Sequence, residues 1–307
     1  MRWLTPEEKE WKKLLKKEEV YLKKRKEKKE SVISSVLEEK IPQKLQETLD
    51  AAFAKAFTLI FQKGSSVIEK TYQKDEFEKN YKIQEYAYQI RKNRKSLKAF
   101  SKKAEGTGRK NLLLSGASGI GMGILGIGIP DIPIFTGMML RSIFEIAVSY
   151  GYKYDTEEEQ YFILLLIQGA VSYGEEAVRI NEKINALISK EELPAVDHIS
   201  DTISKTASLL SGELLYMKFL QGIPIAGAVG GIYDAVYMKH VTEYANLKYK
   251  RRFLQGKVIN LSLIHILGIF FVIMFFKMFI PAILDIPCYF KNDFKIVSGY
   301  ALSLIHI

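Results

Sequence analysis

The sixteen residues TEEEQYFILLLIQGAV, Thr156 to Val171, decide the fold class of this sequence. Thr156 followed by Glu159 is a capping box, in which each side chain satisfies a backbone N–H at the start of a helix. Phe162 to Ile167 is apolar on every side, which is typical of a helix inside a protein. We therefore expect a buried helix that starts after Thr156 and continues to about Ile188.

The rest of the chain also favours helices. Apolar residues recur at steps of three and four from Ser31 to Phe61, with a break at Pro42. Thr5 is a predicted N-cap, and Pro6 suits a first helical position. No segment alternates as a strand does, so the predicted fold is an all-α multi-helix bundle. Further helices are predicted at Pro6–Glu30, Asp75–Phe100, Asp197–Leu220 and Ile225–Tyr249.

A glycine-rich apolar run lies at the centre of the chain. Leu112 to Ile129 holds 18 uncharged residues, and Pro130 and Pro133 interrupt the apolar sequence that follows. Glycines on one helix face allow a second backbone to approach closely. We expect a central helical hairpin that pairs in or at a bilayer, with a buried pair in a soluble bundle as the alternative. The glycines concerned are Gly116, Gly119, Gly123, Gly126, Gly227 and Gly231.

The same run imitates a dinucleotide-binding motif, because Gly121, Gly123 and Gly126 fit its spacing. That chemistry requires a strand before the loop and a helix after it, and the surroundings here are helical. His198 and His240 are isolated in sequence and lack metal-ligand spacing. We therefore expect no cofactor, no metal site and no catalytic residue.

Four charged residues interrupt apolar surroundings and are candidates for a polar network. Arg141 and Glu145 are four residues apart on a predicted helix. Charged groups in a core are usually paired, which favours a structural ion network, and a ligand site in a cleft is the alternative. The full set is Asp131, Arg141, Glu145 and Asp234.

The charge balance predicts an anionic partner. Of 307 residues, 45 are Lys or Arg and 35 are Asp or Glu, which gives a formal net charge of +10. An anionic membrane surface fits better than nucleic acid, because the basic clusters lack regularly interleaved aromatics. The alternative for the N-terminal cluster is a solvated helix face. The predicted surface contacts are Lys23, Lys24, Arg25, Lys26, Lys250, Arg251 and Arg252.

The C-terminal tail contains a repeat that does not suit a natural domain. Leu261–Ile266 reads LSLIHI and recurs as Leu302–Ile307. The hexapeptide resembles one frame of a transposase adapter used in sequencing, so we expect the natural chain to be interrupted near Asn260 and Leu267 to Ala301 to be a foreign fragment between two adapter copies, within a doubtful tail at 257–307. The alternative is a genuine membrane segment, because Val258 to Phe276 is uncharged. The predicted organisation is a basic N-terminal helix at 1–30, a helical domain at 31–256 and this tail.

Six short stretches occur in a characteristic order along the chain: Glu39–Pro42, Ala51–Phe57, Asp131–Pro133, Leu140–Ile146, Tyr150–Tyr152 and Ile223–Gly231. Together they resemble the EcsC family, over roughly residues 10 to 254. This resemblance implies a helical, membrane-associated bacterial protein, and it transfers no catalytic residue. The family takes its name from an operon that also encodes an ABC transporter, which implies an accessory role on the cytoplasmic side of the cell membrane. The alternative is a soluble cytoplasmic enzyme or ligand-binding bundle.

Overall fold

The computed structural model describes residues 4–27, 43–62, 66–69, 71–106, 131–190, 193, 199–220, 237–258 and 274. Every regular element among them is an α-helix, which confirms the predicted all-α bundle. The chain divides into Met1–Lys257 and Val258–Ile307, and the architecture below is that of the first unit. Its helices are α1 (Pro6–Glu27), α2 (Gln43–Gln62), α3 (Ser66–Glu69), α4 (Lys74–Ile90), α5 (94–106), α6 (Asp131–Ser149), α7 (Glu157–Val171), α8 (Gly174–Ser189), α9 (Ile199–Leu220) and α10 (237–258).

Both predicted capping threonines begin a helix. The Thr5 hydroxyl accepts from the backbone N–H of Glu8 at 3.2 Å, and the Glu8 carboxylate accepts from the backbone N–H of Thr5 at 2.8 Å. The Thr156 hydroxyl accepts from the backbone N–H of Glu159 at 3.3 Å. These local contacts satisfy helix donors that have no partner within the helix, so they fix where α1 and α7 start.

The helix α7 lies at the centre of the bundle. Residues 162–171 are all buried, as the apolar sequence predicts. Gln168 donates to the Thr206 hydroxyl of α9 at 2.9 Å, and the Phe162 ring meets the Tyr249 ring of α10 edge-on at 5.5 Å. The buried helix therefore contacts its neighbours through matched polar and aromatic pairs.

The predicted continuation of α7 to Ile188 is wrong. The helix ends at Val171, Ser172 and Tyr173 are extended, and α8 begins at Gly174 with a φ of +58°. Left-handed backbone of this kind is accessible to glycine at little steric cost, so Gly174 permits a sharp turn. The turn folds α8 back to pack against both α7 and α1.

A second predicted helix also divides. The Asp75–Phe100 segment forms α4 and then α5, with a break at residues 91–93. The Asn93 side-chain oxygen accepts from the backbone N–H of Ser96 at 2.9 Å and caps the start of α5. The break leaves the two helices as separate walls of the bundle.

The helix α6 is apolar enough to raise the question of a membrane span. Among the described residues, Ile132–Ser149 is one window with the length and mean hydropathy (1.4) for crossing a bilayer, and 72% of it is buried inside the protein. A core helix passes the same test, because it too is long and apolar. Phe135 of α6 packs edge-on against Phe53 of α2, with ring centroids 6.5 Å apart, so α6 contributes to the common core.

The predicted glycine hairpin lies outside the described residues. Gly116, Gly119, Gly123 and Gly126 fall within 107–130, and Gly227 and Gly231 fall within 221–236. Their pairing, and the foreign origin of the tail, stay predictions.

A glycine inside α7 gives a stability prediction. A Cβ at Gly169 would lie 2.6 Å from the ring of Tyr244, a buried side chain whose hydroxyl donates to Asn181. We expect Gly169→Ala to lower the free energy of unfolding by about 1–3 kcal/mol, because the packed ring must shift. Denaturant unfolding followed by circular dichroism measures the change.

Gly212 of α9 is the matched control, because a Cβ there would meet its nearest neighbour, the Gln46 amide nitrogen, only at 4.0 Å. Gly212→Ala should raise stability by about 0.5–1 kcal/mol through its helix propensity. Equal changes in the two variants would contradict the packing of α7 against α10.

Candidate functional site

The helix α1 has a buried polar stripe and an exposed basic face. The buried positions recur at steps of three and four, so they form one side of the helix. Half of them are glutamates, which is unusual for a helix face inside a protein. This inner stripe consists of Glu7, Glu10, Leu14, Glu18, Tyr21 and Arg25.

Glu10 lies between two cations. Its carboxylate accepts from Arg94 Nε of α5 at 2.6 Å and from Lys250 Nζ of α10 at 3.3 Å. Burial raises the pKa of the Glu10 carboxyl, but the hydrogen bonds and charges of Arg94 and Lys250 outweigh it and leave the pKa lowered. Glu10 is therefore ionised at neutral pH, and it links α1 to two other helices.

Glu18 is the second buried carboxylate of this kind. It pairs with Lys248 Nζ and with Arg251 Nη1 of α10, the latter at 2.6 Å, and it accepts from Asn185 of α8 at 3.1 Å. Burial raises its pKa, but the charge of Lys248 and the other partners lower it overall. Lys248 is fully buried, and burial lowers its pKa to about 8 even beside Glu18.

The basic end of α10 is engaged inside the protein. Arg252 donates to Glu159 of α7 at 2.7 Å, and Arg251 lies over the Trp11 ring at 5.2 Å. Lys250 is 8% exposed. The predicted contact of Lys250, Arg251 and Arg252 with an anionic surface is therefore corrected, because glutamates of α1 and α7 already neutralise these side chains.

Arg25 needs the same correction. It is 5% exposed, its guanidinium donates to the carbonyl of Ala170, and it lies over the Tyr173 ring at 4.7 Å. Its neighbours Lys23, Lys24 and Lys26 are exposed, and Lys26 forms an ion pair with Glu175 at 3.0 Å. The helical turn thus separates one cluster in sequence into a buried arginine and three surface lysines.

The exposed side of α1 is more basic than the predicted cluster alone. Every lysine of the helix is exposed, and among the α1 carboxylates whose burial is described only that of Glu19 is exposed with them. Leu15 and Val20, two apolar residues of the same helix, are 38% and 48% exposed. We call this the outer face of α1, and its lysines are Lys9, Lys12, Lys13, Lys16, Lys17, Lys23, Lys24 and Lys26.

Two of the four candidate network residues line a cleft. Arg141 Nε donates to Glu145 at 2.9 Å, and both side chains border a cavity of about 510 Å³. Asp131 begins α6 and Asp234 falls within 221–236, so neither side chain is among those described. The other walls come from the turn before α4 and from the end of α5; their residues are Thr71, Tyr72, Gln73, Glu76, Phe77, Lys102, Lys103 and Gly106.

A chain of hydrogen bonds continues from the cleft. The hydroxyls of Tyr72 and Tyr154 lie 2.6 Å apart, and Tyr154 donates to Glu69 at 2.7 Å. Lys74 pairs with the same carboxylate at 2.8 Å. Burial raises the pKa of both tyrosines, so they act as neutral hydrogen-bond donors and not as bases. Within the described residues, no three His, Cys, Asp or Glu side chains converge as a metal site would require.

These features define a class: an all-α bundle in which buried ion pairs tie the first and last described helices together, and one helix carries a basic outer face. A family model described as the EcsC protein family matches residues 8–254. The chain belongs to the EcsC family. Comparison with curated proteins and with solved structures gave no match.

The Glu18 pairs give a prediction of stability. Glu18→Gln leaves Lys248 and Arg251 buried without their carboxylate, so the free energy of unfolding should fall by about 3–5 kcal/mol. Chemical denaturation measures this. The exposed neighbour Glu19 supplies the control, and Glu19→Gln should change stability by less than about 0.5 kcal/mol. A loss in Glu18→Gln no larger than in the control would refute the buried network.

Lys248 gives a prediction of pH dependence. Its amino group should titrate near pH 8 in the folded protein, against 10.5 for an ordinary lysine. Between these pH values the unfolded chain holds more protons, so this group's contribution to stability increases as the pH rises. NMR of the lysine Cε–H signals measures the titration, with Lys248→Met for assignment. In Glu18→Gln the pKa should fall further, and titration at the ordinary value would contradict this burial.

Proposed function

We propose that this EcsC-family protein is a non-catalytic peripheral protein that binds anionic lipid on the cytoplasmic side of the cell membrane. The outer face of α1 is the contact surface in this proposal. An accessory role beside an ABC transporter belongs to the same proposal and rests on the operon that gave the family its name.

The observation that carries the proposal is the division of charge across α1. Its eight lysines are exposed, while Glu7, Glu10 and Glu18 are buried, and Glu10 and Glu18 pair with cations of other helices. A basic side chain near an anionic membrane contributes about 1 kcal/mol, so eight on one helix are enough for reversible binding. The same attraction is screened within about 10 Å at 0.1 M salt.

The inner stripe also holds the outer face in position. Glu10 and Glu18 connect α1 to α5, α8 and α10, so rotation of the helix about its axis would break these contacts. A helix of 22 residues extends roughly 33 Å, which suits a flat array of headgroups. The lysines are therefore presented together on a fixed element.

A second candidate function is a soluble ligand-binding bundle. The cleft beside Arg141 and Glu145 favours it, because a cavity of about 510 Å³ falls in the range of small-molecule sites. Saturable binding of a small organic ion, abolished in Arg141→Gln, would support this function over the membrane proposal.

Substitution of lysines tests the membrane proposal. The test variant has four lysines of α1 changed to Gln: Lys9, Lys12, Lys13 and Lys16. We expect it to bind vesicles of phosphatidylglycerol and phosphatidylcholine at least tenfold more weakly than the wild-type full chain, because each lost charge removes ~1 kcal/mol of binding free energy. Co-sedimentation at low ionic strength measures the effect, and added salt should weaken wild-type binding. Vesicles of phosphatidylcholine alone should bind both proteins much more weakly than vesicles that contain phosphatidylglycerol bind the wild type.

The matched control removes the same charge elsewhere. Lys44, Lys55, Lys153 and Lys190 are exposed outside α1, and their change to Gln should leave vesicle binding within about twofold. Equal losses in the two variants would show that net charge, not the outer face, drives binding. Preferential binding of the wild type to duplex DNA or RNA over anionic vesicles would reject the membrane as the partner.

A further inference from the structure

An apolar stripe on α4 is exposed and is not used by the bundle. Ile83, Tyr86 and Ile90 are 65%, 67% and 64% exposed, and Ala87 beside them is exposed as well. These positions follow steps of three and four, so they lie on one face of the helix. Three of the eight large apolar side chains exposed among the described residues belong to this face. We call it the α4 stripe.

The opposite side of α4 is packed. Tyr88 is 6% exposed and donates to Glu7 of α1, and the Tyr81 ring lies 5.7 Å from the ring of Phe100 on α5. These contacts fix the rotation of α4 about its own axis. The α4 stripe therefore points outward because the other side of the helix is held by the core.

Basic side chains surround the α4 stripe. Lys79 and Lys82 lie within or just before it, and Arg91 and Lys92 directly follow it. All four are exposed, and none forms an ion pair with another described residue. The exposed acidic residues of α4, Asp75, Glu76 and Glu78, belong to its first half. The second half of the helix is thus an apolar strip with a cationic border.

The cationic border favours an anionic membrane over a second copy of the chain as the partner of the α4 stripe. A symmetric dimer through the α4 stripe would bring the four cations of one copy against the same cations of the other, which is unfavourable. An anionic bilayer offers the opposite charge to the border and acyl chains to the apolar strip. Lysine and arginine stems can extend along apolar surface with their charges in the headgroup layer, and tyrosine is favoured at that interface.

We infer that the α4 stripe inserts shallowly into an anionic membrane, with its own cationic border in the headgroup layer. This inference rests on the proposed membrane function, because it names the element that enters the lipid. The hydrogen bond between Tyr88 and Glu7 joins the buried sides of α4 and α1, so the α4 stripe and the outer face of α1 are separate contact surfaces. Binding then has a salt-sensitive part from α1 and a salt-resistant part from α4.

The test removes the apolar groups and keeps the charges. In the full chain, Ile83→Gln with Ile90→Gln should lower partition into phosphatidylglycerol-containing vesicles by about tenfold or more at roughly 0.5 M salt, where the lysines are largely screened. Both side chains are exposed, so the variant should unfold at the same denaturant concentration as the wild type. Leu59→Gln with Ile134→Gln is the matched control, since these residues are 44% and 48% exposed on other helices.

A fluorescent reporter measures depth. Tryptophan at position 83 (Ile83→Trp) should shift its emission to shorter wavelength on vesicle binding, and lipids brominated on the acyl chains should quench it. The difference from the parent protein removes the signal of the native tryptophans. A Leu59→Trp reporter should show neither effect, because α2 is not expected to enter the lipid.

The outcomes separate the inference from the proposal it rests on. Salt-sensitive vesicle binding that is unchanged by the α4 substitutions would overturn insertion and leave the α1 contact standing. Loss of all vesicle binding by the wild type would overturn both. A change of sedimentation mass in the α4 variant without vesicles would identify the α4 stripe as a contact between copies and overturn insertion.

Discussion

The pairing of buried carboxylates on α1 with cations of other helices is the constraint on which the rest of the structure depends. An ionised carboxylate inside a protein is tolerated only when cations and hydrogen-bond donors replace its water. Glu10 and Glu18 each meet two cations, and burial lowers the pKa of Lys248 to about 8 although the Glu18 carboxylate opposes that shift. α1 therefore fits the bundle in one rotation only. A rotation by one residue, about 100°, would move both carboxylates away from these cations.

The charge of the surface follows from this pairing. The basic residues at the end of α10 and those of α1 look alike in sequence. Those of α10 pair with glutamates of the bundle, whereas the lysines of α1 are exposed to solvent. Glu10 and Glu18 make that division, because they pair with cations of α10 on the side of α1 opposite its lysines. The net charge of +10 is thus distributed unevenly among the described helices. The basic surface of α1 is a by-product of how the helix is anchored.

Features that depend on neighbouring residues could be predicted from the sequence. The caps at Thr5 and Thr156 and the burial of Phe162 to Ile167 follow from local spacing, and the structure confirms them. The break at Gly174 was missed, because a single glycine in a helical pattern does not reveal its φ. The burial of Arg25 and Lys250 was missed because their partners are 145 and 240 residues away.

One local signal of the inner stripe was nevertheless present. Glu7, Glu10 and Glu18 occupy the same helical side as Leu14 and Tyr21, which marks that side as buried and acidic. The candidate pair of Arg141 and Glu145 was visible for the same reason, since residues four apart meet on a helix. The cleft beside them was not visible, because its walls come from three separate parts of the chain.

The described helices could contact a membrane in two ways, which differ in whether apolar side chains must leave the core. A span through α6 would require its apolar sides to face lipid, but most of that helix is buried among neighbouring side chains of the bundle. Turning it outward would dismantle the core that positions α2 and α7. Contact between the α4 stripe and lipid would leave the core packing unchanged, because the opposite side of α4 makes the core contacts. Lipid contact through surface helices therefore costs the bundle nothing, whereas a span through α6 would require it to unfold in part.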